Sequence, residues 1–95
     1  MISAADKANI RTLAKRFGVG RVLLFGSSLE ADGGEKDVDL AVEGIRPEDF
    51  FRFYGELVFR LPRPVDLVDL STDSKFTRLI RSEGISLYDR REEEN

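Results

Sequence analysis

The sequence predicts a small α/β (α+β) domain in which helices pack on a mixed sheet of three or four strands. Short apolar runs bounded by glycine or proline alternate with segments whose apolar residues recur at helical spacing. The chain has 95 residues, of which 41% are hydrophobic and 35% charged, and this length accommodates one globular core. We expect one domain over residues 1–88, followed by a charged C-terminal tail over residues 89–95.

The chain begins with a predicted helix and strand. Ser3 is suited to cap a helix that runs to about Arg16, and Gly18 is suited to end it. Residues 21–25 (RVLLF) form a short apolar run between glycines, which is typical of a buried strand.

A turn and a second strand follow. Gly26 and Ser27 come directly after the first strand and lead into residues 28–31, which suit one helical turn. Residues 32–34 (DGG) read as a loop. Residues 37–42 (DVDLAV) alternate polar and apolar, which predicts a strand with one face in the core.

The next helix and strand are set by prolines. Pro47 suits the first position of a helix that runs to about Phe59, and Pro62 and Pro64 end it before a third strand at residues 65–70. The spacing predicts a wide buried face on this helix, with Phe59 on the opposite side. That face comprises Phe50, Phe53, Tyr54 and Leu57, with Phe51 and Val58 at its edge.

The last predicted helix spans about residues 74–83 and closes at Gly84. Residues 85–88 are consistent either with a short fourth strand or with an ordered extension.

The composition limits the available chemistry. The chain has neither cysteine nor histidine, which excludes disulfides, thiol nucleophiles, the commonest general base and the commonest transition-metal ligand. The remaining oxygen ligands favour Mg²⁺, Mn²⁺ or Ca²⁺. Fifteen basic against eighteen acidic residues give a net charge of −3, which argues against general nucleic-acid binding. We expect a cytoplasmic protein without a membrane partner, since neither a membrane-spanning run nor a signal-peptide pattern is evident.

Aspartates in the predicted strands are the candidate reactive groups, because aspartate is depleted in strands. Asp37 and Asp39 are two residues apart, so both point to one face with Cα atoms roughly 6.6 Å apart. Asp66 joins them if the strands pair in the required register, whereas Asp69 falls on the face opposite Asp66. Clustered carboxylates repel one another unless cations lie among them. A pair of Mg²⁺ ions is the usual arrangement, and it serves phosphoryl and nucleotidyl transfer.

Gly26 and Ser27 are the candidate phosphate-binding residues. A glycine turn lets the backbone approach a ligand, free N–H groups of a following helical turn face phosphate, and the serine hydroxyl adds a donor. Gly-Ser alone also occurs in ordinary turns, and Asp-x-Asp alone also occurs on solvated strands. Their combination, with nine residues between them and an aspartate in the next strand, favours phosphate chemistry.

These segments resemble a known family. LFGSSLEADGGEKDVDLAV (residues 24–42) is similar to the signature of the minimal nucleotidyltransferases of the DNA polymerase β superfamily, and PVDLVDL (residues 64–70) is similar to the segment with its third acidic residue. The resemblance extends to about Tyr88 and implies the small nucleotidyltransferase fold over residues 1–88. It implies ATP as substrate, two Mg²⁺ ions (or Mn²⁺), nucleotide binding at Gly26 and Ser27, and catalytic metal ligands at Asp37, Asp39 and Asp66.

The resemblance also implies a partner. Small members of this family are commonly paired with an α-helical HEPN protein in toxin–antitoxin modules. The expected activity is transfer of a nucleoside monophosphate, AMP from ATP, to a hydroxyl of that partner, with the chain acting as antitoxin. The alternative is a catalytically weak module that neutralises the HEPN partner by complex formation.

The sequence departs from the family pattern at three points. Many members carry Arg where Glu30 stands and Ser where Lys36 stands, and nine residues rather than ten separate Ser27 from Asp37. Loss of the Arg removes a cation near the triphosphate, which favours the binding module. The retained aspartates favour the enzyme, because a site without catalysis has no reason to keep three repelling carboxylates.

Overall fold

The computed structural model describes residues 2–29 and 37–93, and within these ranges the predicted order of helices and strands is confirmed. The helices are α1 (Ala4–Arg16), α2 (Pro47–Arg60), α3 (Lys75–Glu83) and α4 (Arg90–Glu93). The strands are β1 (Arg21–Leu24), β2 (Val38–Glu43), β3 (Val65–Asp69) and β4 (Ile85–Asp89). A single turn of 3-10 helix, Gly26–Leu29, follows β1. No helix in the described part of the chain has the length and apolar character that a membrane crossing needs.

The strands form one mixed sheet in the order β3-β2-β1-β4. β1 pairs antiparallel with β2 and with β4, whereas β2 and β3 run parallel. Residues 85–88, for which the sequence left two interpretations open, therefore belong to an edge strand. β2 has hydrogen-bonded neighbours on both sides, which places it inside the sheet.

Local signals explain where two of the helices begin and one ends. The Ser3 hydroxyl accepts a hydrogen bond from the Asp6 N–H and caps α1, and Gly18 turns the chain away with a φ of +64°. At α3, Ser74 and Thr77 cap each other's backbone N–H groups, so two otherwise unpaired donors are satisfied.

Buried side chains form two clusters, one on each face of the sheet. The larger packs α1 and α2 on one face, and its members include Ile10, Leu13, Val22, Leu24, Leu40, Val42, Phe53 and Leu57. The smaller packs α3 on the other face, and its buried members are Leu23, Phe25, Ala41, Leu70 and Ile80. Because side chains alternate along a strand, Asp39 lies on the same face as Ala41, the α3 face.

The buried stripe of α2 is narrower than the sequence predicts. Phe53 and Leu57 are buried and Phe50 is half-buried, and the helix packs mainly on α1 and on the edge strand β3. The apolar side chains of α2 that are exposed are Phe51 (78% exposed), Tyr54 (36%), Val58 (46%) and Phe59 (84%). The expectation that Phe51, Tyr54 and Val58 contribute to the core is therefore wrong, whereas the exposed position of Phe59 is confirmed.

Regular structure continues beyond Tyr88 into the segment predicted as a charged tail. β4 ends at Asp89, and α4 adds one helical turn. Glu93 forms ion pairs with Arg11 and, at 3.7 Å, with Lys15, so this turn is attached to α1.

Candidate active site

The turn after β1 lies directly against Asp39. Gly26 has a φ of +61°, and a Cβ at this position would lie 2.9 Å from Asp39 Oδ2. Glycine tolerates both the left-handed backbone and the close approach. The Ser27 hydroxyl donates a hydrogen bond to the same Oδ2 at 3.0 Å. Three of the predicted site residues are therefore in contact.

Ser28 completes the attachment of this turn to β2, and sequence reasoning did not single it out. Its side chain is buried. Its hydroxyl accepts a hydrogen bond from the Asp39 N–H at 2.8 Å and donates one to the Asp37 carbonyl at 3.3 Å. The Phe25 N–H donates to the Asp39 carbonyl at 3.0 Å. The only signal in the sequence was a second serine after Gly26-Ser27, a pattern common in ordinary turns.

Asp39 and Asp66 occupy paired positions of the parallel strands β2 and β3. Adjacent strands lie about 4.8 Å apart, so these residues are direct neighbours. Asp66 alternates in phase with Val68 and Leu70, which pack in the α3 cluster, so it shares a face with Asp39. The strand register on which the prediction for Asp66 depended is therefore present.

The two other strand aspartates lie at different positions. Asp37 is exposed immediately before β2 and is two residues from Asp39, in phase with it. Asp69 is in phase with Leu67, which packs against the α1–α2 cluster. Its carboxylate accepts a hydrogen bond from the Ser71 N–H at 2.9 Å. Asp69 therefore lies opposite Asp66, as predicted, and serves the turn that follows β3.

The donor chemistry of this region fits a hard divalent cation. Carboxylate and hydroxyl oxygens are ligands that Mg²⁺ and Mn²⁺ prefer, and a cation would relieve repulsion between Asp39 and Asp66. Over residues 2–29 and 37–93, no three side chains of metal-ligating type are gathered closely enough to hold an ion. The Asp39 Oδ2 atom is instead engaged by Ser27.

Two positions at which the sequence departs from the family pattern, Glu30 and Lys36, lie outside the described residues.

Exposed ion pairs lower the pKa of two carboxylates elsewhere on the surface. The side-chain hydrogen bond from Arg91 is the main cause of the lowered pKa of Asp89, and its backbone N–H adds to the effect. The side-chain hydrogen bond from Arg46 lowers the pKa of Glu48 in the same way. Arg46 borders a cavity of about 460 Å³ between the end of α1 and the start of α2. That cavity is on the α1–α2 side, away from Asp39.

A family model described as "Polymerase beta, Nucleotidyltransferase" matches residues 8–93, a range that includes every residue of the candidate site. No curated protein matches the chain in sequence.

Solved structures with a similar fold are toxin–antitoxin complexes. A chain of the toxin–antitoxin MntA-HepT crystal structure aligns with a TM-score of 0.70 and 21% identity, over 96% of this chain and 76% of its own length. A toxin–antitoxin crystal structure with AMP-PNP gives 0.69 and 22%, over 92% and 76%. A tri-AMPylated Shewanella oneidensis HEPN toxin in complex with MNT antitoxin gives 0.68 and 21%, over 95% and 75%. Similarity at this level of identity shows a shared fold.

Proposed function

The chain belongs to the polymerase β nucleotidyltransferase family, and on this premise we propose that it is a magnesium-dependent enzyme that transfers AMP from ATP to a hydroxyl of a partner protein. One observation carries the proposal. The Gly26-Ser27 turn lies against Asp39, and Asp39 is paired with Asp66 on one face of the sheet. The turn proposed to bind phosphate and two of the aspartates proposed to hold the metal therefore lie together.

Each residue of this site has a proposed role. Gly26 and Ser27 bind the nucleotide phosphates, through close backbone approach and the serine hydroxyl. Asp37, Asp39 and Asp66 would hold two Mg²⁺ ions. When bound, such ions lower the pKa of an attacking hydroxyl and stabilise the oxygens of the leaving group.

The reaction is a displacement at phosphorus. The acceptor oxygen forms a bond to the α-phosphorus of ATP, the bond from that phosphorus to the bridging oxygen breaks, and pyrophosphate leaves. The acceptor proton is released, and the acceptor carries AMP. Asp66 orients the acceptor hydroxyl from the strand next to Asp39.

The proposed partner is a HEPN protein. The similar structures are complexes, and one holds a tri-AMPylated HEPN toxin with an MNT antitoxin. Three exposed apolar side chains of α2, those of Phe51, Val58 and Phe59, lie along one side of the helix. An exposed apolar surface of this kind favours contact with another protein. We assign partner binding to these three residues.

A second candidate function is neutralisation of the HEPN partner by complex formation with little catalysis. Glu30 stands where many members carry Arg, and this favours the second candidate, because loss of that Arg removes a cation that would attract a triphosphate.

The test is incubation of the purified chain with the protein encoded by the neighbouring gene, Mg²⁺ and ATP, read by intact mass. We expect the neighbour to gain AMP. Asp39→Asn should abolish the gain without unfolding the chain, because the amide oxygen still accepts from Ser27. Asp69→Asn is the matched control, since it makes the same change on the opposite face and should retain transfer.

The outcomes separate the two candidates. Full transfer by Asp39→Asn would contradict the assigned site. A stable complex without added mass would support the binding module instead.

A further inference from the structure

A small apolar groove lies beside the turn that carries Gly26. It encloses about 130 Å³ and is lined by Phe25, Gly26, Phe76, Leu79, Ile80 and Glu83. Phe25 and Ile80 are buried, whereas Phe76 and Leu79 are each 52% exposed. The groove therefore has a buried inner wall, formed by the residue after β1 and by α3, and an accessible apolar rim from α3.

Gly26 connects this groove with the candidate active site. It lines the groove, and it also lies against the Asp39 carboxylate. A ligand whose phosphates bind the Gly26-Ser27 turn can therefore reach the groove with its remaining part.

The lining suits a flat heteroaromatic ring. Phenyl rings and branched aliphatic side chains are the surfaces on which nucleobases stack. Phe76 packs edge-to-face on Phe25, with ring centroids 6.0 Å apart and an interplanar angle of 79°. This contact holds the Phe76 ring at the rim of the groove, although half of its surface is exposed.

Glu83 adds a hydrogen-bond acceptor to this apolar lining. Its side chain is exposed, and it has neither an ion pair nor a hydrogen bond with any residue in the described ranges. An ionised carboxylate accepts hydrogen bonds and donates none. It therefore favours a ring that presents an amino group and disfavours one that presents a carbonyl oxygen at the same position.

We propose that this groove binds the base of the nucleoside triphosphate and that Glu83 selects a base with an exocyclic amino group, adenine over hypoxanthine. This inference rests on the proposed function, because the Gly26-Ser27 turn must hold the phosphates.

The test uses calorimetric titration of the full chain with the Mg²⁺ complexes of three probes: the α,β-methylene analogues of ATP and ITP, and inorganic tripolyphosphate. Phe76→Ala should weaken binding of the ATP analogue about tenfold, through loss of stacking. Its affinity for tripolyphosphate should be unchanged, which also shows that the variant is folded. Tyr54→Ala removes an aromatic ring from α2, on the other side of the sheet, and should alter neither affinity. Leu79→Ala is a second groove variant and should behave as Phe76→Ala does.

Glu83 is tested by the ratio of two affinities, which cancels the effect of its charge on the phosphates. The parent chain should bind the ATP analogue about tenfold more tightly than the ITP analogue, and Glu83→Ala should bring this ratio close to one. Equal affinity of the parent for both analogues and tripolyphosphate, or identical behaviour of Phe76→Ala and Tyr54→Ala, would overturn the inference and leave the proposed function intact. Failure of all three probes to bind the parent would overturn both.

Discussion

Replacement of Gly26 by alanine tests the contact between the turn and Asp39 directly. Gly18→Ala is a matched control, because the two glycines have almost the same left-handed backbone, with φ values of +61° and +64°. They differ in their surroundings. A Cβ at Gly18 has no atom within 4 Å, whereas a Cβ at Gly26 lies 2.9 Å from Asp39 Oδ2.

The expected magnitudes follow from this difference. The left-handed conformation costs a non-glycine residue about 1–2 kcal/mol, and both variants bear that cost. Only Gly26→Ala displaces the Asp39 carboxylate and breaks its hydrogen bond with Ser27. A hydrogen bond to a charged group is worth about 1.5–3 kcal/mol, and partial exposure at this site favours the lower end. We expect the free energy of unfolding to fall by about 1.5 kcal/mol for Gly18→Ala and about 3 kcal/mol for Gly26→Ala.

Urea unfolding gives both free energies, and thermal melting gives an independent reading. For a domain of this size, 1.5 kcal/mol corresponds to a difference of about 6–12 °C in Tm between the two variants. AMP transfer to the partner should persist in Gly18→Ala and be lost in Gly26→Ala, because the Asp39 carboxylate is displaced from its position beside Ser27. Equal destabilisation and equal transfer activity in the two variants would refute the reasoning.

Two further predictions concern the surface. Phe59→Glu should weaken the complex with the HEPN partner at least about tenfold by calorimetry, because a charge replaces an aromatic contact that is buried in the complex. The Tm of the free chain should stay unchanged, since Phe59 is 84% exposed there. An unchanged affinity would place the partner contact elsewhere. Arg91 lowers the pKa of Asp89 in the folded chain. The interaction between the two side chains therefore stabilises the fold above the ordinary aspartate pKa, and this stabilisation is lost as pH falls through the folded-state pKa of Asp89. Arg91→Gln should raise that pKa in an NMR titration and reduce stability at neutral pH but not in strong acid, and an unaltered Asp89 titration would contradict this.

The helices and strands could be predicted because their signals are local. Ser3 and Ser74 stand immediately before helices, Gly18 and Gly84 stand at helix ends, and the alternation at residues 37–42 needs only neighbouring positions. The pairing of Asp39 with Asp66 could be predicted only for one strand register. The alternation of side chains along a strand fixes the face of Asp39, but it does not determine which residue of another strand lies beside it.

The remaining features depend on distant parts of the chain. Ser28 holds the turn after β1 against the start of β2. This contact joins two separate segments, so the periodicity of the sequence does not indicate it. The exposure of Phe51 and Val58 depends on how much of α2 is covered by α1 and β3. Their apolar character alone indicated a wider buried face. The groove beside Gly26 is formed by the residues that follow β1 and by residues of α3, which are about fifty positions apart in the sequence.

The hydrogen bonds of Asp39 also bear on the entropy of ligand binding. Its carbonyl, its N–H and its carboxylate are all engaged by the turn, through Phe25, Ser28 and Ser27 respectively. The angle and distance between the Ser27 hydroxyl and the Asp39 carboxylate are therefore fixed during folding. A nucleotide that binds here does not have to restrict the relative motion of turn and strand, and that part of the ordering cost is absent from its binding free energy.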